Sequence, residues 1–283
     1  MGARDEPVVV HLVDGTYELF RHFFGARKGR PRHPQTAAVR GVLRTLLSML
    51  EDGATHVGVA TDHVIESFRN DLWPGYKTGA GIDPMLKAQF LPLEESLAAI
   101  GVAVWPMVEL EADDALASAA HRAAAERRVH KVCIWTPDKD LAQCVAGDRV
   151  VQVDRRTSTV RDEPVVLERF GVAPPLIPDY LALVGDSADG YPGIPGIGAV
   201  GAASLIRRHG PLERFPATVL GQNRDLALLF KDLATLRTTA PVFADVEELR
   251  WAGPPGPLDG LEEGIVDEDF RRRVAGLAAV RAV

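Results

Sequence analysis

Nine carboxylates in five short segments carry the chemistry of this sequence. Asp14 and Asp62 each close an apolar run. Glu111, Asp113 and Asp114 stand together in EADD, Asp138 and Asp140 in DKD, and Asp186 and Asp189 in GDSADG. An acid at a strand-to-helix junction ordinarily caps the helix. Capping needs one acid per helix, and EADD offers three and DKD two. Glu111 and Asp114 are three apart and share one face of a helix. Asp186 and Asp189 follow a helical stretch, where the helix dipole disfavours negative charge. Carboxylates packed this tightly require an offsetting cation. All-oxygen ligands select a hard divalent ion, Mg2+ or Mn2+, and nine are enough for two. Two such ions about 4 Å apart activate a water and relieve charge on a leaving oxygen, which is the chemistry of phosphodiester hydrolysis.

The elements that position these acids follow from hydrophobic period. Residues 8–13, 56–61, 102–105, 131–136 and 150–153 read as strands. Between them lie helical stretches at 37–50, 85–100 and 112–127, the first with apolar residues at 39, 42, 43, 46, 47 and 50. Alternation of this kind predicts an α/β fold, a mostly parallel central sheet with helices on both faces. The carboxyl ends of parallel strands share one edge, where ligands bind, so Asp14, Asp62 and Asp138 converge there with the acids of EADD. A further helix at 178–184 leads into the Asp186–Asp189 pair. Two stretches break the rhythm: a basic Gly/Pro-rich loop at 25–34, and a long connection at 63–84 carrying Arg69, Trp73, Tyr76 and Lys77. Connections of that length are commonly functional. Trp73 and Tyr76 offer stacking faces for an unpaired base or, equally, core packing.

The segment from Gly193 to Gly201 contains Gly196-Ile-Gly-Ala-Val-Gly201, a bare match to GxGxxG. A dinucleotide site needs a strand directly before it, and the preceding residues 190–195 are turn formers. The alternative is a helix-hairpin-helix, in which Gly193, Gly196, Ile197, Gly198 and Gly201 bring backbone N–H groups at the start of the next helix to a phosphate. Arg207 and Arg208 at the far end add charge. The sequence VDGT at 13–16 imitates a phosphatase motif whose nucleophile would fall at Leu12, so that reading fails.

Composition bounds the rest. The chain has 283 residues, 46% hydrophobic and 25% charged, the profile of a water-soluble globular protein, and it lacks an apolar run of 18 residues. The polar start at 1–6 is no signal peptide. Cys133 and Cys144 show no metal-binding spacing and fit a reduced, cytoplasmic protein. The net charge of −7 argues superficially against nucleic acid. Setting aside the nine clustered acids leaves 30 against 32 lysines and arginines.

In order and spacing, Asp14, Arg21, Asp62, Arg69, Lys77, EADD, TPDKDL at 136–141, GDSAD at 185–189 and GIPGIG at 193–198 resemble the 5′-nuclease family. The likeness is greatest to the 5′→3′ exonuclease domain of bacterial DNA polymerase I and its stand-alone flap-endonuclease relatives. It runs from about residue 8 to 210. The resemblance implies one compact PIN-like nuclease domain over 1–283, with a helical arch at 63–90 and a helix-hairpin-helix at 178–210. It implies a first metal at Asp14, Asp62 and Glu111, with Asp113 bridging and Asp114 nearby, and a second at Asp138, Asp140, Asp186 and Asp189. Two, or at most three, Mg2+ or Mn2+ ions are expected, with K+ at the hairpin. Arg21, Arg69 and Lys77 would face the scissile phosphate, and Tyr76 the DNA. Implied substrates are DNA with a 5′ flap, a nick or a single-stranded 5′ end, and RNA–DNA primers during Okazaki-fragment processing and repair, beside DNA polymerase I. Three departures from the family pattern stand out: Ala80 in place of a second basic residue, Gly190 in place of Asn, and a neutral start to the hairpin helix. Two alternatives remain open, a catalytically weak DNA-junction binder and a PIN-like RNase.

Overall fold

The computed structural model describes residues 7–26 and 32–281. Half of the basic loop expected at 25–34, residues 27–31, therefore lies outside the described residues. The chain begins with β1 (Val8–Asp14), α1 (Gly15–Ala26), α2 (Ala37–Glu51) and β2 (His56–Asp62). Then come α3 (Arg69–Leu72), α4 (Pro84–Lys87), α5 (Phe90–Ala99), β3 (Ala103–Met107), α6 (Ala112–Ala125) and β4 (Val129–Trp135). A 3-10 turn at Asp140–Cys144 leads to β5 (Val150–Asp154), β6 (Thr159–Arg161) and α7 (Glu163–Phe170). The remainder is helical: α8 (Ile177–Val184), α9 (Ala199–His209), α10 (Ala217–Leu220), α11 (Arg224–Ala234) and α12 (Glu268–Arg281).

The six strands form one sheet in the order β3-β2-β1-β4-β5-β6. All neighbours are parallel except β5 and β6. The β1, β2 and β4 runs are almost wholly apolar because helices cover both faces. On one face α2 buries Val39, Val42, Leu43, Leu46, Leu47 and Leu50, the residues its period singles out, together with α5 and α12. On the other, the alanines of α6 let that helix lie close against Val10, Leu12, Val132 and Ile134. A separate apolar core joins α7 through α11 and the hairpin. Among the described residues no helix is long and apolar enough to cross a membrane.

The expected helix at 85–100 is two helices. Pro92 lies in the first turn of α5, and a proline ring there excludes continuous helical bonding to residue 88. The break places Gln89, fully buried, so that its Oε1 accepts from the N–H groups of Ala38 and Val39 at 3.0 and 3.3 Å. A side chain from α5 thereby caps α2, whose own Thr36 makes no side-chain cap bond. Within residues 63–90, before α5 begins at Phe90, stand only the two four-residue helices α3 and α4. Much of the first half of this segment is tied to the rest of the protein, as the contacts below show.

Candidate metal centre and nucleic-acid interface

Three acids sit where strands hand over to helices, and each does local structural work with part of its carboxylate. Asp14 Oδ1 accepts from the Tyr17 N–H at 2.8 Å, opening α1, and its Oδ2 accepts from the Thr136 hydroxyl at 2.9 Å. Asp62 Oδ1 accepts from the Ala112 N–H at 2.8 Å, which fixes α6 against the end of β2. Glu111 is the N-cap of α6 and forms a capping box with Asp114. Its Oε1 accepts from the Ser67 hydroxyl at 2.6 Å, and the Lys77 ammonium stands 2.8 Å from its Oε2. The capping reading and the ligand reading thus coexist, because a carboxylate has more lone pairs than one cap bond uses.

The two later acid pairs meet across the sheet edge. Asp140 follows β4 and donates its N–H to Asp138 Oδ1 at 3.0 Å. Asp186 and Asp189 stand on a tight turn closed by mutual bonds between Asp186 and Tyr191. One oxygen each of Asp140, Asp186 and Asp189 lies within 4.8 Å of the others, all three residues buried. Asp140 Oδ1 is itself buried without a hydrogen-bond partner. An orphaned carboxylate oxygen inside a group of three is a site short of a cation.

Electrostatics describe one connected centre. Burial pushes the Asp14 carboxyl up to about 7, and the Asp62 and Asp138 charges add to the effect. Burial also drives Asp113 well above the carboxylate range, reinforced by Asp138, Asp14 and Asp140. Asp140 is raised in the same way, by burial and by Asp138, Asp189 and Asp186. Asp62 and Asp189 are raised chiefly by burial. Glu111 is the exception: burial raises it, but the Lys77 and Arg69 charges outweigh burial and hold it below its ordinary value.

Three assignments implied by the resemblance need correction. Arg69 does not face a scissile phosphate. It is 1% exposed, and its fork meets Asp114 at 2.8 and 2.8 Å, with Nε on the Leu233 carbonyl. Asp114 is correspondingly not available as a ligand. It is fully buried and also accepts from the N–H groups of Glu111 and Arg237. Tyr76 offers no stacking face: it is buried, with its hydroxyl 3.3 Å from Glu111 Oε2. Trp73 packs edge-on against Phe230 and donates to the Gly190 carbonyl at 3.0 Å. Arg21 pairs with buried Glu18 in the first turns of α1. Lys77 is at the centre, bridging Glu111 and Asp189, the latter at 3.0 Å.

The Gly190 departure has a structural cause. Its φ is +86°, and a Cβ would lie 2.0 Å from the Gly75 carbonyl oxygen. Here the connection 63–84 presses backbone to backbone on the acid turn, with the Lys77 N–H donating to the Asp189 carbonyl at 2.9 Å. Sequence reading missed Lys139, whose ammonium reaches Asp186 from between two acids of DKD. It also missed Tyr191, whose buried hydroxyl faces the Asp140, Asp189 and Asp186 charges. The signal for Lys139 was present in its neighbours; for Tyr191 there was none.

Beside the acids, α8 and α9 flank the hairpin. Gly193 is buried at φ +73°, and a Cβ there would lie 2.4 Å from the Gly185 nitrogen. The start of α9 is open: Gly196, Gly198, Val200 and Gly201 are exposed, Ile197 is half-buried, and no side chain caps the helix. Its first amides are therefore available to an anion. Arg207 and Arg208 are exposed in its last turn.

An acidic pocket on a parallel-sheet edge, next to a helix-hairpin-helix, defines the class of α/β nucleases. The 5′-3′ exonuclease N-terminal, resolvase-like domain matches residues 9–171, and the 5′-3′ exonuclease C-terminal SAM fold matches residues 172–256. The 5′-3′ exonuclease of Aquifex aeolicus is 31% identical over 263 residues, covering 87% of each chain. DNA polymerase I of Pseudomonas aeruginosa is 34% identical over 269 residues, 86% of this chain but 29% of the polymerase. The 5′-exonuclease of phage T5, solved with bound zinc, superposes with TM-score 0.66 at 17% identity, covering 96% of this chain and 99% of its own. The catalytic core of Rad2 in complex with DNA superposes with TM-score 0.60 at 16% identity, covering 98% and 95%. The chain belongs to the 5′-3′ exonuclease family.

Proposed function

We propose that this protein hydrolyses DNA phosphodiesters as a structure-specific 5′→3′ exonuclease and 5′-flap endonuclease that depends on divalent metal. The carrying observation is the buried Asp140–Asp186–Asp189 group with its orphaned Oδ1, in electrostatic contact with Asp138, Asp113 and Asp14. These donors fit Mg2+ or Mn2+: they are all oxygen, buried and in excess of the available protein cations. Asp14, Asp62 and Glu111 would hold one ion with Asp113 between, and Asp138, Asp140, Asp186 and Asp189 the other. Bound there, the ions supply an activated water and charge relief on the departing 3′ oxygen, leaving a 5′-phosphate and a 3′-hydroxyl.

The protein groups have separable tasks. Thr136, Ser67 and the α6 amides hold Asp14, Glu111 and Asp62 in fixed rotamers. Lys77, half-exposed and bridging Glu111 and Asp189, is the cation nearest the reacting phosphate. Arg21, paired with Glu18 on α1, would add a second cation facing the phosphate. The open start of α9, with Gly196, Gly198 and Gly201, would grip a duplex phosphate, with K+ at the hairpin carbonyls and Arg207 and Arg208 on the same strand. A cytoplasmic setting in replication and repair, removal of RNA–DNA primers and work beside DNA polymerase I belong to the same proposal. A labelled 5′-flap duplex with Mg2+ or Mn2+ tests it. Cleavage by the purified protein, abolished in Asp138→Asn, is expected; no cleavage, or equal cleavage by that variant, refutes it.

A further inference from the structure

One pair of side chains at the sheet edge serves neither the acid centre nor the cores. Glu94 on α5 has its side chain 7% exposed, and it takes two bonds there. Its Oε1 accepts from the Thr61 hydroxyl at 2.8 Å, and its Oε2 stands 2.8 Å from His63 Nδ1. Glu94 and Asp62 line the same recess with Thr16, Thr61 and Phe90. His63 directly follows Asp62 at the end of β2, its backbone N–H held by the Met107 carbonyl at 2.9 Å. Both the main chain and Nδ1 are thus anchored, while 42% of the imidazole is exposed. Val64, the next residue, is an exposed apolar side chain.

Position along the edge says what meets this ring. The strand order places β1 between β4, which leads into Asp138 and Asp140, and β2, which leads into His63. A nucleic-acid strand that reacts at Asp138 and Asp140 and runs on along the sheet edge past β1 meets the end of β2. Two strand spacings span about 10 Å, or about three stacked nucleotides at about 3.4 Å each. The neighbours of His63 are Asp62, Glu94 and exposed Glu66. Their negative charge repels a phosphate but not the face of a base, and an anchored ring beside an exposed valine suits stacking. Tyr76 and Trp73 are committed elsewhere, so they do not compete for this role.

We infer that His63, locked by Glu94, is the stacking platform for an unpaired base of the 5′ strand, one to three nucleotides beyond the scissile phosphate. The inference rests on the nuclease reading above. It is tested by binding of flap DNA in Ca2+, in which the strand is bound without being cut, with a single abasic residue moved through flap positions one to four. The wild-type protein should lose roughly five- to tenfold in affinity at one of these positions. His63→Ala should be insensitive to the abasic residue at that position, His63→Phe should restore sensitivity, and His63→Gln should not. Glu94→Gln, which loosens the ring, should blunt the effect; if that variant does not fold, the His63 series still decides. An equal abasic penalty in wild type and His63→Ala overturns the inference. So does restoration by His63→Gln together with loss on neutralising one phosphate, which would make the contact a phosphate bond. Failure of the wild-type protein to bind any flap would instead overturn the nuclease reading.

Discussion

The buried Arg69–Asp114 pair separates the structural reading from the one the resemblance implies. If Arg69 met the scissile phosphate, Arg69→Met would lower turnover and leave stability intact. The structure predicts the reverse emphasis. Both side chains are at most 1% exposed, joined by two bonds of 2.8 Å. Removing the guanidinium strands the Asp114 charge in the interior, at a cost of about 3–5 kcal/mol. The Glu111 and Arg237 N–H groups still hold that carboxylate, which argues for the lower end, about 3 kcal/mol. With a urea m-value of about 3 kcal/mol/M for a chain of this size, the midpoint falls by about 1 M. Adding Asp114→Asn removes the stranded charge and keeps an oxygen for one of the two amides, which meet different carboxylate oxygens, while the other amide is left facing the new NH2 group. The lost amide bond offsets part of the relief, so the double variant should recover at most about 1 kcal/mol relative to Arg69→Met alone. Urea denaturation followed by circular dichroism measures both. A midpoint shift below about 0.3 M in Arg69→Met, or a double variant less stable than the single one, refutes this account.

Other consequences follow from the same geometry. The raised acids bind protons in the folded state at pH values where they are ionised in the unfolded chain, so metal-free protein should lose stability as pH rises from about 4 towards 7, the Asp14 value. Mg2+ or Mn2+ should raise the melting temperature at pH 8 more than at pH 5; calorimetry in EDTA and in each metal checks both signs. Asp140→Asn should stabilise the metal-free protein by about 1–2 kcal/mol and weaken Mn2+ binding at least tenfold by calorimetric titration, because it removes a buried repulsion and a ligand together. Gly190→Asn, which restores the residue the family pattern favours, should destabilise by about 2 kcal/mol or more in urea, since the backbone is at positive φ and the Gly75 carbonyl occupies the Cβ position. Flap DNA binding in EDTA should be weak and should strengthen when Ca2+ is added; affinity indifferent to Ca2+ would contradict the charge argument.

Much of the scaffold was legible because it is written in period and position. The parallel strands are continuous apolar runs, α2 is a clean 3.6-residue stripe, and the acids mark strand ends. What was not legible depends on partners far apart in the chain. The resemblance made Arg69 a substrate contact; Asp114, 45 residues away, shows nothing in the sequence that would announce the pairing. Tyr76 read equally as a stacking ring or as core packing, because its neighbours are glycine, proline and charge; Phe230 and Glu111 come from elsewhere to enclose its segment. Strand β6 is three residues with two exposed side chains, too short to show alternation. The Gln89 break needs α2 beside it before the glutamine has a purpose. The candidate site was thus readable where strand topology alone delivers a residue, and misread where a side chain's direction decides.

The same distinction resolves the charge. With Asp114 neutralised by Arg69, eight acids form the centre, and the other 31 face 32 lysines and arginines. Within the centre the chain supplies only part of the compensation. Lys77 spans Glu111 and Asp189, and Lys139 reaches Asp186. Those two ammonium groups touch Glu111, Asp186 and Asp189, the acids contributed by α6 and the hairpin turn. Among the described residues Asp14, Asp113 and Asp140 have no such partner, and burial pushes all three up. Protein cations thus hold the α6 N-cap and the hairpin acids in place without neutralising Asp14, Asp113 and Asp140. The centre can therefore be assembled by folding alone, while its charge is balanced only when protons or metal ions arrive.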